Sequence, residues 1–505
     1  MTVRKVDDLD RLFHPKSLAV VGATPRVGGF NWGGNNYIEG AVNLGFQGKI
    51  YPVHPSGLPI LGFPSYRSVR DIPDEVDLVV FSVSFSHVLP VMQDCVEKGV
   101  KFIHIFAAGF SETGLPENTA IENELVRLAR KAGIRIVGPN CMGLYCPEGG
   151  LGWNREFPRD SGPISFVSQS GQLAGEFVET GFYEGLRFSK IVSFGNACDL
   201  HIHDFLNYLI RDEKTKIVGS YIEGLKDGEA FFEAARNFTR NKPLVVWKGG
   251  LTEGGSRATQ SHTAAIAGSS QVWEAICRQT GIIPVGSMEE MASTTAALLR
   301  QPLPCSTDVA VLGGAGGGSV TMTDLAEREG LRVPHLSEAT IRGLKEFIPV
   351  QGNSINNPLD IMGALFFPAR RTGTSHKDML ENYKRLFVLL REDPNIDGLI
   401  FAQKMDMFSR VGGRFFVDLF IRSSIEALTE LKKPVYIVLD RGRSLEGEAA
   451  RQWAQEQYNR AGFATFASFS SAARVIYNLS RYRSYLEALG KTDYEAFRPQ
   501  LRAAR

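Results

Sequence analysis

SLAVVGATPRVGG, Ser17 to Gly29, reads as a strand that stops at Gly22 and passes through small residues into a helix. Strand, glycine turn and helix in that order open a βαβ unit. With no bulky side chain at the turn, main-chain amides at the helix start can approach an anion. The same alternation continues outward. KIYPV (Lys49 to Val53), VDLVVFSV (Val76 to Val83), KFIHIFAAGF (Lys101 to Phe110) and RIVGPN (Arg135 to Asn140) are short apolar runs, each followed by turn residues and a helical pattern. This spacing predicts an α/β chain built on parallel sheets, with one Rossmann-like domain over 1–150.

A Gly/Pro-rich passage, CPEGGLGWNREFPRDSG (Cys146 to Gly162), breaks the pattern and is expected to be a linker or a loop lining a site. Beyond it, PISFVSQ (Pro163 to Gln169), SKIVSFG (Ser189 to Gly195), KIVGSYIEG (Lys216 to Gly224) and KPLVVWKGG (Lys242 to Gly250) predict a second doubly wound domain over 160–300. QPLPCST (Gln301 to Thr307), with two prolines, reads as a linker. A third block over 306–485 carries DVAVLGGAGGGSVTMTDLAEREG (Asp308 to Gly330), GLIFAQ (Gly398 to Gln403) and KPVYIVL (Lys433 to Leu439), then helices rich in Arg and Tyr. The charged tail 486–505 has no strand signal. A length of 505 residues agrees with three domains, at about 150 residues each.

The 56 basic and 55 acidic side chains nearly cancel, so the broad basic field that holds nucleic acid or an anionic membrane is absent. Small ligands are expected instead. The six cysteines are scattered, without the spacing of a zinc site, which predicts no metal and reduced thiols. Acidic residues in the N-terminal MTVRKVDDLDRLF and the lack of an apolar run of about 20 residues predict a cytoplasmic protein.

Five motifs carry candidate chemistry. The turn VVGATPRVGG departs from G-x-G-x-x-G, and YPVHPSG (Tyr51 to Gly57) brings no acidic residue to the end of the second strand. A free ribose diol would need that carboxylate; the 3′-phosphorylated ADP of coenzyme A would not. A tight turn with no ligand is the alternative. In SFVSQSGQLAGEF (Ser165 to Phe177), Ser168 and Ser170 offer hydroxyls, and Gly171 admits a close backbone before a helix start. VLGGAGGGSVTMTDL (Val311 to Leu325) sets five glycines between strand and helix, each destabilising by roughly 0.5 to 1 kcal/mol relative to alanine. A bare structural role explains that poorly, and the two helix starts together are expected to share one phosphate. In GSRATQSHTAAIAGSS (Gly255 to Ser270), His262 stands among small residues with no ligand-spaced neighbour: a candidate nucleophile, or an ordinary surface or core histidine. In SYIEGLKDG (Ser220 to Gly228), Glu223 ends a strand, where its carboxylate can orient an imidazole or pair with a surface cation.

With these residues in view, the chain resembles the ADP-forming acetyl-CoA synthetase (acetate–CoA ligase) family and, more distantly, the α subunit of succinyl-CoA synthetase. VGATP, GKIYPVHP, AAGFSETG and VGPNCMGL look like the family's CoA-binding domain, and VSQSGQLAGEF, SFGNACDL, YIEGLKDG and SHTAAIAGS like its phosphohistidine domain. GGAGGGSVTMTDLAEREG and NNPLDIMG (Asn356 to Gly363) look like a further flavodoxin-like ligase domain.

The resemblance implies a Rossmann-like domain followed by two flavodoxin-like domains. It places CoA against Gly22, Ala23, Thr24, Arg26, Val53, His54, Pro55, Ser82, Gly109, Phe110 and Asn140. It places phosphate against Ser170, Gly171, Gly195, Asn196, Gly316 and Gly317, with His262 as nucleophile and Glu223 as its orienting partner. Carboxylate, CoA and phosphate then interconvert with acyl-CoA through an acyl phosphate and a phosphohistidine. No stretch is left for an ATP-grasp domain of about two hundred residues, so Mg-ATP or another NTP is expected on an ATP-grasp β subunit, in a homo- or hetero-oligomer.

Three departures stand out: His54 where the family has Asn, SVSFSHV (Ser82 to Val88) where it has a Pro-containing turn, and Ala264 where it has Gly. A CoA- or acyl-CoA-binding regulatory protein without catalysis and a phosphate-dependent acyl or carbamoyl transferase are the rival functions. The 32 phenylalanines isolate no acyl pocket.

Overall fold

The structure is a computed structural model that describes residues 9–25, 33–263, 269–313, 316–366, 376–491 and 493. It divides into two compact units, Met1–Met291 and Ala292–Arg505.

The first unit holds two sheets. In one, β1 (Ser17–Val21), β2 (Lys49–Val53), β3 (Leu78–Phe81), β4 (Phe102–Ile105) and β5 (Arg135–Val137) run parallel in the order β2-β1-β3-β4-β5. β1, β3 and β4 are buried along their whole length, as strands covered by helices on both faces must be. The chain then enters the second sheet at its edge. β6 (Gly143–Tyr145) pairs antiparallel with β8 (Phe188–Ser193), and β7 (Ser161–Ser168), β9 (Ile217–Ile222), β10 (Leu244–Lys248) and β11 (Ile283–Val285) complete the order β11-β10-β9-β7-β8-β6. Without β6 this is the arrangement of the first sheet again. The short β6 and β11 gave no pattern in the sequence, since three residues carry almost no period, and the equally short β5 is legible only through the Gly-Pro turn that closes it.

The Gly/Pro-rich passage is no loose linker. Cys146 bridges Leu151, Tyr145 and Trp153 pack on Phe157 at 4.8 and 5.0 Å between ring centres, and Trp153 and Phe157 are buried. Its glycines allow close passage: a Cβ on Gly150 would stand 2.5 Å from the Phe46 backbone.

In the second unit, β12 (Val309–Leu312), β13 (Gly398–Gln403), β14 (Val435–Leu439) and β15 (Ala464–Phe466) are parallel in that order. Beside β12 the second strand of the pattern is reduced to one bridge, Leu312 to Leu359. There the Asn357 side chain substitutes for a strand, accepting from Val311 N at 2.9 Å and donating to Val309 O at 2.8 Å. All three sheets therefore share one winding and reverse direction beside their first strand. The crevice at such a switch point, outside the carboxyl ends of the strands, is where ligands sit in open α/β sheets. The expected linker Gln301–Thr307 is anchored at Gln301, which is buried and accepts from Val435 N at 2.9 Å.

Candidate functional site

A cleft of about 600 Å³ opens at the carboxyl ends of both sheets of the first unit. From the first sheet it takes Gly22 after β1, Ser82 after β3, Ala107 after β4 and Asn140 after β5; from the second, Gln169, Ser170 and Gly171 after β7 and Gly195 and Asn196 after β8. Seven residues singled out in the sequence, Gly22, Ser82, Asn140, Ser170, Gly171, Gly195 and Asn196, thus line one space.

Close backbone approaches shape the cleft. Gly22 has φ +93°, and a Cβ there would stand 2.1 Å from Ser82 O; Ser82 N donates to Val21 O at 2.8 Å. Gly195 has φ +50°, and its Cβ would stand 2.2 Å from Pro139 O. Asn196 N donates to Pro139 O at 3.0 Å and Met142 N to Ser193 Oγ at 3.1 Å, so the turns after β5 and β8 are one joint between the sheets. The Asn196 amide also donates to Glu122 at 3.1 Å and to Glu112, whose carboxylate accepts from Phe110 N at 3.1 Å.

The remaining first-sheet candidates surround this core. Ala23 is buried, and Thr24 is clamped by Asn35, whose Oδ1 accepts from Thr24 N at 2.8 Å. Val53 is buried at the end of β2, and His54 and Pro55 form the turn beyond it. His54 Nδ1 accepts from Ser56 N at 3.1 Å, as a side-chain amide oxygen would in an Asx-turn. Imidazole can therefore replace asparagine here without changing the turn. Phe110 is buried with its ring 4.8 Å from that of Phe85, its amide held by Glu112 and its carbonyl by Thr113, and Gly109 beside it has φ +109°. Arg26 lies outside the described residues.

The two serines of the turn after β7 have different partners. Ser170 Oγ accepts from Leu173 N at 3.2 Å and caps the helix Gly171–Tyr183, while Ser168 Oγ donates to Ser170 O at 2.7 Å. Ser168 is thereby spent on the turn, whereas Ser170, which only accepts in the cap, keeps its own O–H to donate to an anion. The helix start then offers an anion its other first-turn amides.

Glu223, just past β9, is buried at 7 % exposure. Gln169, a cleft residue that no motif singled out, accepts from the Glu223 and Gly224 amides, the latter at 3.0 Å. Its only sequence signal is its position at the end of a buried strand. Lys248 Nζ donates to Glu223 O at 2.6 Å, and Tyr221 OH donates to the Glu223 carboxylate, which together with burial pushes the phenol's pKa up.

His262 falls in the last turn of the helix Glu253–Thr263, with its side chain outside the described residues, as is Ala264. That helix is started by Thr252 Oγ1, which accepts from Gly255 N at 3.1 Å, and by an Arg257–Glu253 pair at 2.8 Å; its main chain runs against the turn Ser111–Thr113. Gly316 and Gly317 belong to the second unit, at the start of the helix Gly317–Arg328, where Gly316 N donates to Asp360 Oδ2 at 2.7 Å. The described residues hold no group of three or more His, Cys, Asp or Glu able to bind a metal, and no helix long and apolar enough to cross a membrane.

Residues 16–147 match the CoA binding domain family, and residues 161–298 the succinyl-CoA ligase like flavodoxin domain family. Over 396 residues, 78% of this chain and 81% of the other, the chain is 38% identical to the α subunit of ADP-forming acetate–CoA ligase II of Pyrococcus furiosus. The chain belongs to the ADP-forming acetate–CoA ligase family. Among other members, ADP-forming acetate–CoA ligase II of Archaeoglobus fulgidus is 34% identical over 446 residues, and this family member spans 62% of its length. A solved relative, the dinucleotide-forming acetyl-coenzyme A synthetase 1 of Candidatus Korarchaeum cryptofilum in complex with phosphate and ADP, superposes with a TM-score of 0.78. It is 32% identical, over 96% of this chain and 99% of that one. The family explains the cleft: a CoA-binding sheet and a ligase sheet open onto the same space.

Proposed function

We propose that the chain is the CoA- and phosphate-handling subunit of an NDP-forming acyl-CoA ligase. It interconverts carboxylate, CoA and NTP with acyl-CoA, NDP and phosphate, and the NTP binds with Mg²⁺ on an ATP-grasp β subunit. Three domains divide the chemistry, with 1–150 binding CoA, 160–300 carrying the phosphohistidine and 306–485 forming a second flavodoxin-like ligase domain.

The observation that carries this reading is the joint cleft, where turns of the CoA-binding sheet meet the capped helix start at Ser170 and Gln169, whose amide oxygen holds the Glu223 turn. In the acyl-CoA-consuming direction, a phosphate oxygen attacks the thioester carbonyl. The C–S bond breaks, and CoA leaves as a thiolate that takes up a proton. His262 then attacks the phosphorus of the acyl phosphate, forming an N–P bond and releasing the carboxylate with the bridging oxygen. A neutral imidazole is nucleophilic near pH 7, and Glu223 accepts a hydrogen bond from its second nitrogen, fixing the tautomer and stabilising the cationic phosphorylated ring. Helix-start amides after Ser170, and separately in the second unit those at Gly317, are each suited to phosphoryl oxygens. Transfer from His262 to NDP on the partner completes the sequence.

The purified full chain, given ³²P-phosphate and a panel of acyl-CoAs, is expected to take up acid-labile, base-stable label and release free CoA. His262→Ala is expected to do neither. Label in the alanine variant at the parent's rate ends this reading.

A further inference from the structure

Glu223 is gripped by three residues, and one of the grips carries a charge that the proposed reaction leaves unused. Tyr221 and Glu223 lie two apart on β9 and its extension, on one face, which lets the phenol reach the carboxylate. The Tyr221 ring packs edge-on against Trp247 of β10 at 5.2 Å. Gln169 holds the Glu223 and Gly224 amides. Lys248, paired with Ile222 across the β9–β10 ladder, folds its ammonium onto Glu223 O at 2.6 Å and onto Gly249 O.

Lys248 is 8% exposed, and a buried cation is costly unless a counter-charge and hydrogen bonds compensate it. Burial lowers the ammonium's pKa, an effect that the Glu223 carboxylate only partly offsets. Two carbonyl oxygens alone would be satisfied by any neutral donor.

We infer that Lys248 is a positioning residue that fixes the Glu223 turn through its carbonyl and supplies a standing positive charge against the phosphoryl group arriving on His262. This rests on the roles proposed for His262 and Glu223. Placing a phosphoryl group beside a carboxylate sets like charges together where water screens them poorly. An ammonium already seated on the backbone of the same turn offsets that repulsion without reorganisation. No bond forms to Lys248, and it keeps its proton throughout.

The test compares the full-length parent, Lys248→Met, Lys248→Arg, Glu223→Gln and the Lys248→Met/Glu223→Gln double variant. Each is read by initial labelling rate with the acyl-CoA that labels the parent fastest, and by CoA Kd. Lys248→Met is expected to slow labelling about 10- to 100-fold with CoA Kd within about 3-fold, the range for one lost electrostatic contact. Lys248→Arg is expected to restore most of the rate. In the Glu223→Gln background the Met change is expected to cost less than about 3-fold more, because coupled groups are not additive. Labelling by Lys248→Met at the parent's rate, or an equal loss in both backgrounds, overturns the inference. If Lys248→Met does not fold, Lys248→Arg decides: a folded arginine variant without labelling overturns the charge role, and one within about 10-fold of the parent supports it. Parent-like labelling by Glu223→Gln instead sinks the role of Glu223 itself.

Discussion

The turn after β7 and the turn after β12 both lead a buried parallel strand into a helix start, yet glycine serves different ends in them. At the first, a Cβ on Gly171 would stand 2.5 Å from Met142 Cγ, and the neutral hydroxyl of Ser170 caps the helix. At the second, a carboxylate, Asp360, takes the Gly316 amide. Gly316 needs its freedom for φ +52°, but Gly317 and Gly318 meet no described atom within 4 Å of a built Cβ. Packing accounts for Gly171 and backbone geometry for Gly316. Neither accounts for Gly317 and Gly318, which cost the helix roughly 1 kcal/mol each against alanine. A glycine that the fold does not require is the better marker of a ligand.

Four variants break or sharpen that contrast. The largest effect is expected where backbone meets backbone: Gly195→Ala, with φ +50° and Pro139 O 2.2 Å from the new Cβ, should lose about 3 kcal/mol or more in thermal or urea unfolding. A loss under about 1 kcal/mol would show that the joint between the sheets can open. Gly317→Ala with Gly318→Ala should leave stability unchanged or raise it by up to about 1 kcal/mol per site, while phosphate labelling falls about 10-fold, or 1.4 kcal/mol. Labelling at the parent's rate would make those glycines structural after all. Ser170→Ala should cost about 1 kcal/mol of stability through the lost cap; no loss would show that the helix start does not depend on that cap. The smallest change is expected for His54→Asn, within about 0.5 kcal/mol of the parent and with CoA Kd shifted less than about 3-fold, since an amide oxygen can accept the Ser56 amide as Nδ1 does. A large drop in CoA affinity would give His54 a ligand contact of its own.

Much of the architecture is legible in the chain. Strands such as SLAVV and GLIFAQ are continuous apolar runs because both faces are covered, and each stops at a turn. The elements that escaped are those with too few residues to show a period, β6, β11 and β15, and the bridge at Leu359, where the Asn357 side chain replaces a strand. The Gly/Pro-rich passage misled because its glycines are there for close packing, which composition alone cannot distinguish from flexibility.

The sequence by itself determined helix starts, turns and strand ends, because local residues set them; that the glycine turns, His262 and Glu223 serve one chemistry is what the family resemblance implies. Only the tertiary structure decided that Gly22, Asn140, Ser170 and Gly195 share one cleft, and that Gln169 and Lys248 converge on the Glu223 turn. Those relations join residues tens of positions apart through sheet order and backbone contact. No local pattern encodes a distance that only the winding of two sheets creates.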